Sequence, residues 1–169
     1  MKSKENIVFL GMMGSGKSSI GSLVAKKLKL NFVDIDREIE TQTKMSIKKI
    51  FEEKGENYFR KVEETITLKC LKLNNVIISL GGGGFVNKEI RKEVLKNHLS
   101  FWLNWKNEIL IDRIKNSSKR PLASSASDNE IMNLIKKRVI VYSKALFEIK
   151  CDNLTKNQIV KKVLNIYET

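Results

Sequence analysis

Five short apolar segments, separated from one another by stretches with helical spacing, constrain the fold more than any other feature of this sequence. We predict strands at residues 6–10, 31–36, 75–80, 100–104 and 147–151. Strands that are joined through helices run parallel, because the crossover returns the chain to the same end of the sheet. The pattern therefore predicts the α/β class, with a five-stranded parallel sheet covered by helices on both faces.

The connecting segments carry apolar residues at helical spacing. Helices are predicted at residues 17–29, 37–43, 46–53, 56–73, 87–97, 106–116, 128–146 and 155–167, with Asp128 as the cap of the seventh. A chain of 169 residues suits one domain, and no apolar run approaches the length of about 20 residues that spans a bilayer. We therefore expect a single cytoplasmic domain without a membrane partner.

Cysteine and histidine are too few for several kinds of site. Cys70 and Cys151 have neither the number nor the spacing of a disulfide framework or a zinc site. We expect both to be buried thiols in a reducing compartment. His98 is the single histidine, which excludes a multi-histidine metal site, and we expect it to be a surface or capping residue.

The net charge is strongly positive, but it is spread out. The chain has 32 Lys+Arg and 19 Asp+Glu, a formal net charge of +13. Most of the basic residues are lysines scattered over predicted helix faces, where they are solvated. The arginines are Arg37, Arg60, Arg91, Arg113, Arg120 and Arg138. Because a guanidinium can bind a carboxylate or phosphate through two hydrogen bonds, each arginine is a candidate anion ligand.

Residues 11–18 read Gly-Met-Met-Gly-Ser-Gly-Lys-Ser and match the P-loop pattern G-x-x-x-x-G-K-[ST]. The match lies between a predicted strand and a predicted helix, which is the context that the motif requires. Its chance occurrence in a chain of this length is about half a percent. The glycines let backbone N–H groups surround phosphates, Lys17 neutralises the β- and γ-phosphates, and Ser18 ligates Mg²⁺.

Two carboxylates, Asp34 and Asp36, follow the second predicted strand. Strand alternation would point both to the same face, at the edge of the sheet where ligands collect. One could support Mg²⁺ through water while the other holds and partly deprotonates an attacking hydroxyl group. The alternative is that both are solvated residues that cap a helix.

Two further features are candidates for an acceptor site, and a third is a candidate lid over the phosphates. Arg60 is followed by Glu63 one helical turn later, which could orient the guanidinium or form an ordinary surface pair. Four glycines at residues 81–84 could leave bare backbone against a small polar molecule, or form a flexible turn. The Ser-rich segment 117–127 carries Arg120 and is a candidate lid, whose arginine could stabilise charge on a transferred phosphoryl group.

These motifs together resemble the shikimate kinase family, a small branch of the nucleoside-monophosphate-kinase-like P-loop group. That family carries, in order, a P-loop, D-x-D, F-R with a following glutamate, G-G-G, R-P-L in a lid and R-x-x-x-Y. In this sequence they are residues 11–18, Asp34 with Asp36, Phe59-Arg60 with Glu63, residues 81–83, residues 120–122, and Arg138 with Tyr142. The similarity extends over the whole chain.

The resemblance implies ATP-dependent phosphorylation of the 3-hydroxyl group of shikimate by a monomer, in aromatic amino-acid biosynthesis, with a sheet ordered 2-3-1-4-5. It implies a substrate-binding helical part at about residues 37–62 and a mobile lid at about 116–127. It implies that ATP is bound by Gly14, Ser15, Gly16, Lys17, Ser18, Ser19, Arg113 (on adenine) and Arg120. It implies that shikimate is bound by Asp36, Arg60, Gly81, Gly82, Gly83 and Arg138. It implies that Mg²⁺ is bound by Ser18 and, through water, by Asp34. Asp36, Lys17 and Arg120 would be catalytic, and Phe51 and Phe59 would wall the ring of the acceptor.

Two departures and two alternatives accompany the resemblance. Residues 152–158 lack the proline that many relatives carry on the adenine side, so no contact is assigned there, and Gly84 lengthens the glycine run. Another small-molecule kinase on the same scaffold, for gluconate or a nucleoside monophosphate, is one alternative. A non-catalytic nucleotide switch or a basic RNA-associated protein is the other, although it leaves the D-x-D and glycine motifs without a role, and we expect no nucleic-acid partner.

Overall fold

A computed structural model describes residues 6–117, 123 and 125–169. Its strands are β1 (Ile7–Leu10), β2 (Asn31–Asp34), β3 (Val76–Ser79), β4 (Leu99–Asn104) and β5 (Phe147–Lys150). They form one sheet in the order β2-β3-β1-β4-β5, and every pair of neighbouring strands is parallel. The predicted fold class and strand order are therefore confirmed.

The described helices are α1 (Lys17–Leu28), α2 (Ile35–Thr43), α3 (Ile47–Lys54), α4 (Glu56–Leu71), α5 (Lys88–Asn97), α6 (Asn107–Lys115), α7 (Asp128–Tyr142) and α8 (Lys156–Tyr167), with one 3₁₀ turn at Gly84–Val86. Two predicted boundaries of α7 are wrong. Ser127, rather than Asp128, is the N-cap, because Ser127 and Glu130 form a reciprocal capping box. The helix also ends at Tyr142, four residues before the predicted end.

The boundary between β2 and α2 also differs from the prediction. The strand ends at Asp34 and the helix begins at Ile35, whereas the sequence predicted a strand through Asp36. The physical reason is a cap: a side-chain oxygen of Asp34 accepts a hydrogen bond from the backbone N–H of Arg37 at 3.2 Å. Asp36 therefore lies in the first turn of a helix, and the argument from strand alternation does not apply to it.

The core lies on both faces of the sheet. In β1, Val8 and Leu10 belong to one buried cluster and Ile7 and Phe9 to the other, as alternation along a strand requires. Apolar residues of α1 and α8 complete the second cluster, whereas those of α2 to α7 complete the first. This packing places the carboxyl ends of all five strands at one edge, where the connections to the helices begin.

The isolated cysteines and the histidine are buried. Cys70 and Cys151 are free thiols in the core, as predicted, and burial raises the pKa of Cys151 to about 12. His98 ends α5, where its backbone N–H bonds the Val94 carbonyl, but its side chain is only 2% exposed, so the surface location expected for it is wrong. Its Nε2 lies 3.7 Å from an oxygen of Glu93.

The last two predictions concern the lid and membrane-spanning helices. Arg120 and half of the expected lid at 116–127 lie outside the described residues, because positions 118–122 and 124 are not among them. Among the helices that are described, none is both long enough and apolar enough to span a bilayer.

Candidate active site

The P-loop connects β1 to α1 at the carboxyl edge of the sheet. Gly14 and Gly16 have φ angles of 77° and 88°, a left-handed conformation that a residue with a Cβ rarely adopts. Gly16 is also the N-cap of α1 and supplies no side chain of its own, so the helix N-terminus is open toward the loop. This is the local geometry that binds phosphate.

Lys17 lies under the loop and is 7% exposed. Its Nζ donates hydrogen bonds to the carbonyl oxygens of Gly11 at 2.9 Å and of Met12 at 2.8 Å. These bonds turn two carbonyl dipoles of the loop toward a cation and hold the ammonium group within the loop. Ser15 is also buried, whereas Ser19 is exposed in the first turn of α1.

Ser18 and Asp34 come together beside the loop. The Ser18 hydroxyl donates a hydrogen bond to one carboxylate oxygen of Asp34, whose other oxygen caps α2. Hydroxyl and carboxylate oxygens are ligands that Mg²⁺ prefers, and the ion usually keeps few protein ligands when phosphates supply others. The described residues contain no group of three or more His, Cys, Asp and Glu side chains suited to a metal. The pair therefore suits Mg²⁺ that is held jointly with a nucleotide.

A second cluster of charges lies beside the glycine run. Arg60 Nη1 is 2.7 Å from Glu63 Oε2, and Arg60 Nη2 is 3.5 Å from Glu56 Oε1. Glu63 is only 2% exposed. Loss of solvation on burial raises the pKa of Glu63, an effect that the Arg60 guanidinium opposes and the nearby Asp36 carboxylate reinforces. The expectation that Glu63 orients Arg60 agrees with this geometry.

The glycines at 81–83 form one wall of this cluster. A Cβ placed on Gly81 would lie 2.6 Å from Glu63 Oε1 and 2.9 Å from Asp36 Oδ1. A Cβ on Gly83 would lie 2.9 Å from the Cζ of Arg60. Such separations are too short for a side chain, so the absence of one lets the carboxylates and the guanidinium approach the backbone.

Gly82 joins the second cluster to the P-loop. A Cβ on Gly82 would lie 3.3 Å from the backbone nitrogen of Met13, within the P-loop, and 3.4 Å from Arg138 Nη1. One helical turn after Arg138, the buried hydroxyl of Tyr142 donates a hydrogen bond to the Gly82 carbonyl oxygen. Tyr142 is the last residue of the R-x-x-x-Y motif, but the sequence did not predict its contact with Gly82.

Of the other predicted residues, two phenylalanines pack near the core and one arginine lies at the P-loop. Phe51 and Phe59 stack with ring centroids 4.6 Å apart, but Phe59 is 5% exposed and belongs to the core. Arg113 lies at the P-loop, where its Nη1 donates to the Gly14 carbonyl oxygen at 3.1 Å. Its guanidinium also stacks on Trp105, a residue that sequence analysis missed. The available signal was an aromatic residue placed directly after the end of a strand.

The structure thus brings two predicted groups of residues to one edge of the sheet. The first is the P-loop with Ser18, Asp34 and Arg113, and the second comprises Asp36, Arg60, Glu63, residues 81–83 and Arg138. Asp34 and Asp36 belong to different groups, although strand alternation had placed them on one face. A phosphate cradle next to carboxylates and guanidinium groups can align a phosphoryl donor with a hydroxyl group on a small anion.

This fold and this pair of adjoining sites define a P-loop kinase of small molecules. The family model for shikimate kinase matches residues 13–168. The chain belongs to the shikimate kinase family.

Individual relatives agree with this assignment. The chain is 40% identical over 169 residues to a shikimate kinase of Bacillus subtilis, covering 95% of this chain and 88% of the relative. A solved shikimate kinase of Acinetobacter baumannii in complex with shikimate is 26% identical, with a TM-score of 0.91 over 99% of this chain and 94% of that one. The shikimate kinase structure from Aquifex aeolicus is 36% identical, with a TM-score of 0.87 over 96% of each chain.

Proposed function

We propose that this chain transfers the γ-phosphoryl group of ATP to the 3-hydroxyl group of shikimate, giving shikimate 3-phosphate and ADP in aromatic amino-acid biosynthesis. The observation that carries the proposal is the position of Gly82. A Cβ placed on Gly82 would lie 3.3 Å from the backbone nitrogen of Met13 in the P-loop and 3.4 Å from Arg138 Nη1. A molecule bound against the glycine run is therefore next to the phosphate cradle. Family membership supports the same donor and acceptor.

On the donor side, backbone N–H groups of residues 14–19 bind the phosphates of ATP and Lys17 neutralises their charge. Ser18 and, through water, Asp34 would hold a magnesium ion, which would neutralise charge on the phosphates of the nucleotide. Arg113, already at the Gly14 carbonyl, packs on adenine. The sequence resemblance assigns Arg120 to the phosphates as well.

On the acceptor side, Arg60 and Arg138 bind the carboxylate of shikimate and residues 81–83 bind its hydroxyl groups through backbone. Two guanidinium groups suit one carboxylate because each offers paired donors in a plane. Glu63 supports this role, since its ion pair at 2.7 Å holds Arg60 in place. Residues 37–62, which include most of α2, all of α3 and the start of α4, form the substrate-binding part of a single kinase domain.

The reaction is an in-line transfer without a phosphoenzyme. Asp36 accepts a hydrogen bond, and then the proton, from the 3-hydroxyl group as its oxygen forms a bond to the γ-phosphorus. The bond between that phosphorus and the β,γ-bridging oxygen breaks, and its electron pair leaves on ADP. Lys17 and Arg120 stabilise the charge that develops on the phosphoryl oxygens.

We also propose a monomer in the cytoplasm. The support is that both groups of site residues come from one chain and that the thiols of Cys70 and Cys151 are free, as in a reducing compartment. We propose no nucleic-acid or membrane partner, because the lysines that dominate the charge are distributed over many helices.

The decisive experiment measures acceptor-dependent ADP release in the presence of MgATP with shikimate, gluconate and the nucleoside monophosphates. We expect saturable turnover with shikimate alone, and mass spectrometry of the product should show one added phosphoryl group. Turnover with gluconate or a nucleoside monophosphate, without turnover of shikimate, would falsify the proposal. Salt-sensitive RNA binding without acceptor-dependent release would instead favour the nucleic-acid alternative.

A further inference from the structure

Trp105 lies between β4 and α6 and contacts two parts of the donor site at once. Its indole Nε1 donates a hydrogen bond to the Ser15 carbonyl oxygen of the P-loop at 2.9 Å. The Cζ of Arg113 lies 4.0 Å from the centroid of its ring. The side chain also packs against both hydrophobic clusters, so its position is fixed by the core on both faces of the sheet.

The first contact acts on the P-loop. Carbonyl oxygens repel an anion, so a loop that binds phosphate through its N–H groups needs its carbonyl groups directed elsewhere. At the helix end of the loop, Arg113 bonds the Gly14 carbonyl at 3.1 Å and Trp105 bonds the Ser15 carbonyl at 2.9 Å. Both donors come from the β4–α6 region, far from the loop in sequence. Trp105 thus stabilises the conformation in which the loop can receive phosphate.

The second contact acts on Arg113. An arginine side chain has many rotamers, and this freedom is lost when a ligand immobilises it. Stacking on Trp105 and bonding Gly14 together restrict the guanidinium plane in advance. The indole covers one side of the guanidinium, so a base would pack on a side that the indole does not cover. The arrangement therefore prepares a platform for the base of the nucleotide.

We propose that Trp105 is a positioning residue for the nucleotide, which holds the Ser15 carbonyl by its N–H group and the Arg113 guanidinium by its ring. The inference rests on the proposed function in one respect, that Arg113 packs on the base of ATP. It assigns to Trp105 two separable effects. The N–H group affects any ligand with phosphates, whereas the ring affects only ligands with a base.

Calorimetric binding of ADP and of inorganic pyrophosphate separates these effects. Trp105→Phe lacks the N–H donor but keeps an aromatic ring, so we expect affinity for both ligands to fall about threefold. Trp105→Leu lacks both, so we expect pyrophosphate affinity to fall about threefold and ADP affinity about tenfold. Tyr167→Leu is the control, since it removes an aromatic ring that is 41% exposed at the end of α8 and belongs to neither group of site residues. The control should leave both affinities unchanged.

A double-mutant cycle tests whether the ring acts through Arg113. With Arg113→Met in place, Trp105→Leu should lower ADP affinity only about threefold, because the stacked partner is already gone. An equal loss in both backgrounds, or unchanged pyrophosphate affinity in Trp105→Phe, overturns the inference. If Trp105→Leu does not fold, the pyrophosphate affinity of Trp105→Phe still decides whether the N–H group of Trp105 supports phosphate binding. Wild-type protein that binds ADP but does not phosphorylate shikimate contradicts the proposed function alone, and failure to bind ADP contradicts both.

Discussion

The donor and acceptor halves of the site are built in different ways. The donor half is mainly one continuous segment, in which Lys17 bonds carbonyl groups five and six residues before it. The acceptor half is assembled from α2, α4, the glycine run and α7, and it relies on buried or half-buried charges. The comparison teaches that phosphate binding here depends on local backbone conformation, whereas acceptor binding depends on how distant helices pack.

The largest expected effect comes from Asp36→Asn, which removes the proposed proton acceptor without changing the size of the side chain. We expect kcat to fall by at least about 10²-fold, within the range for general-base groups. The KM for ATP should stay within about twofold, because Asp36 is in the acceptor half. Steady-state kinetics with both substrates varied measures kcat and the KM for ATP separately. Unchanged turnover would mean that Asp36 is not the base.

Gly83→Ala should give the next largest effect, and it tests whether the glycine run is needed for close approach. The φ of Gly83 is −99°, which alanine adopts easily, but its Cβ would lie 2.9 Å from the Cζ of Arg60. Arg60 must move to avoid it, so we expect the KM for shikimate to rise about tenfold while the KM for ATP is unchanged.

Gly84→Ala is the matched control for that substitution. A Cβ on Gly84 would lie 3.6 Å from the Leu80 Cβ and 3.7 Å from Glu63 Oε1, which are ordinary contacts. We expect its KM for shikimate to stay within about twofold of wild type. Equal effects of the two alanines would show that the run serves flexibility rather than close approach.

The third prediction concerns pH and distinguishes the two halves electrostatically. Burial raises the pKa of Glu63 above its ordinary value of 4.5. Because the folded-state pKa is higher than the unfolded one, the protonated form is favoured by folding, and that contribution to stability is present below pH 4.5 and lost as pH rises through the folded pKa. As pH falls through the same range, Glu63 loses its charge and its ion pair with Arg60 weakens.

We therefore expect the KM for shikimate to rise about fivefold on the acidic side, a change of about 1 kcal/mol, beginning above pH 4.5. The KM for ATP, measured over the same range, should change less. Glu63→Gln should have a raised KM for shikimate at neutral pH, and its KM should not rise further as the pH falls. If the KM for shikimate rose with falling pH in that variant as in the wild type, another group would be responsible for the titration.

Sequence reasoning captured the fold because its signals are local. Each of the five strands overlaps an apolar segment, and the parallel arrangement follows from the helices between them. Boundaries failed where a side chain bonded a backbone group, as when Asp34 ended β2 two residues early by capping α2. His98 caps α5, which was one of the two expectations, but its burial was not predicted, because periodicity does not encode how neighbouring elements pack.

The site divides in the same way. The P-loop is visible as one motif, and the acceptor residues were named through family resemblance rather than through spacing alone. The contacts of Trp105 and Tyr142 were missed, because they reach 90 and 60 residues along the chain. Such contacts exist only once the helices have packed, so a single sequence supplies at most an indirect signal, such as the aromatic residue after β4 at Trp105.

The smallest expected effect tests how strongly the two halves are joined. Tyr142→Phe removes the hydroxyl that bonds the Gly82 carbonyl, and it keeps the ring that packs near Trp102 at a centroid distance of 6.1 Å. The buried carbonyl then lacks this donor, a loss of about 1 kcal/mol for a neutral hydrogen bond. Because we propose that the Gly82 backbone binds the acceptor, a displacement of Gly82 beside Arg138 should weaken acceptor binding.

We accordingly expect the KM for shikimate to rise about threefold in Tyr142→Phe, with ADP affinity unchanged. Tyr167→Phe is the control, because Tyr167 is 41% exposed at the end of α8 and should have no effect on either substrate. A parallel loss of ADP affinity would mean that the glycine run and the P-loop move as one unit. The two halves would then be separate in sequence but coupled in energy, and the contrast between them would concern only how each is built.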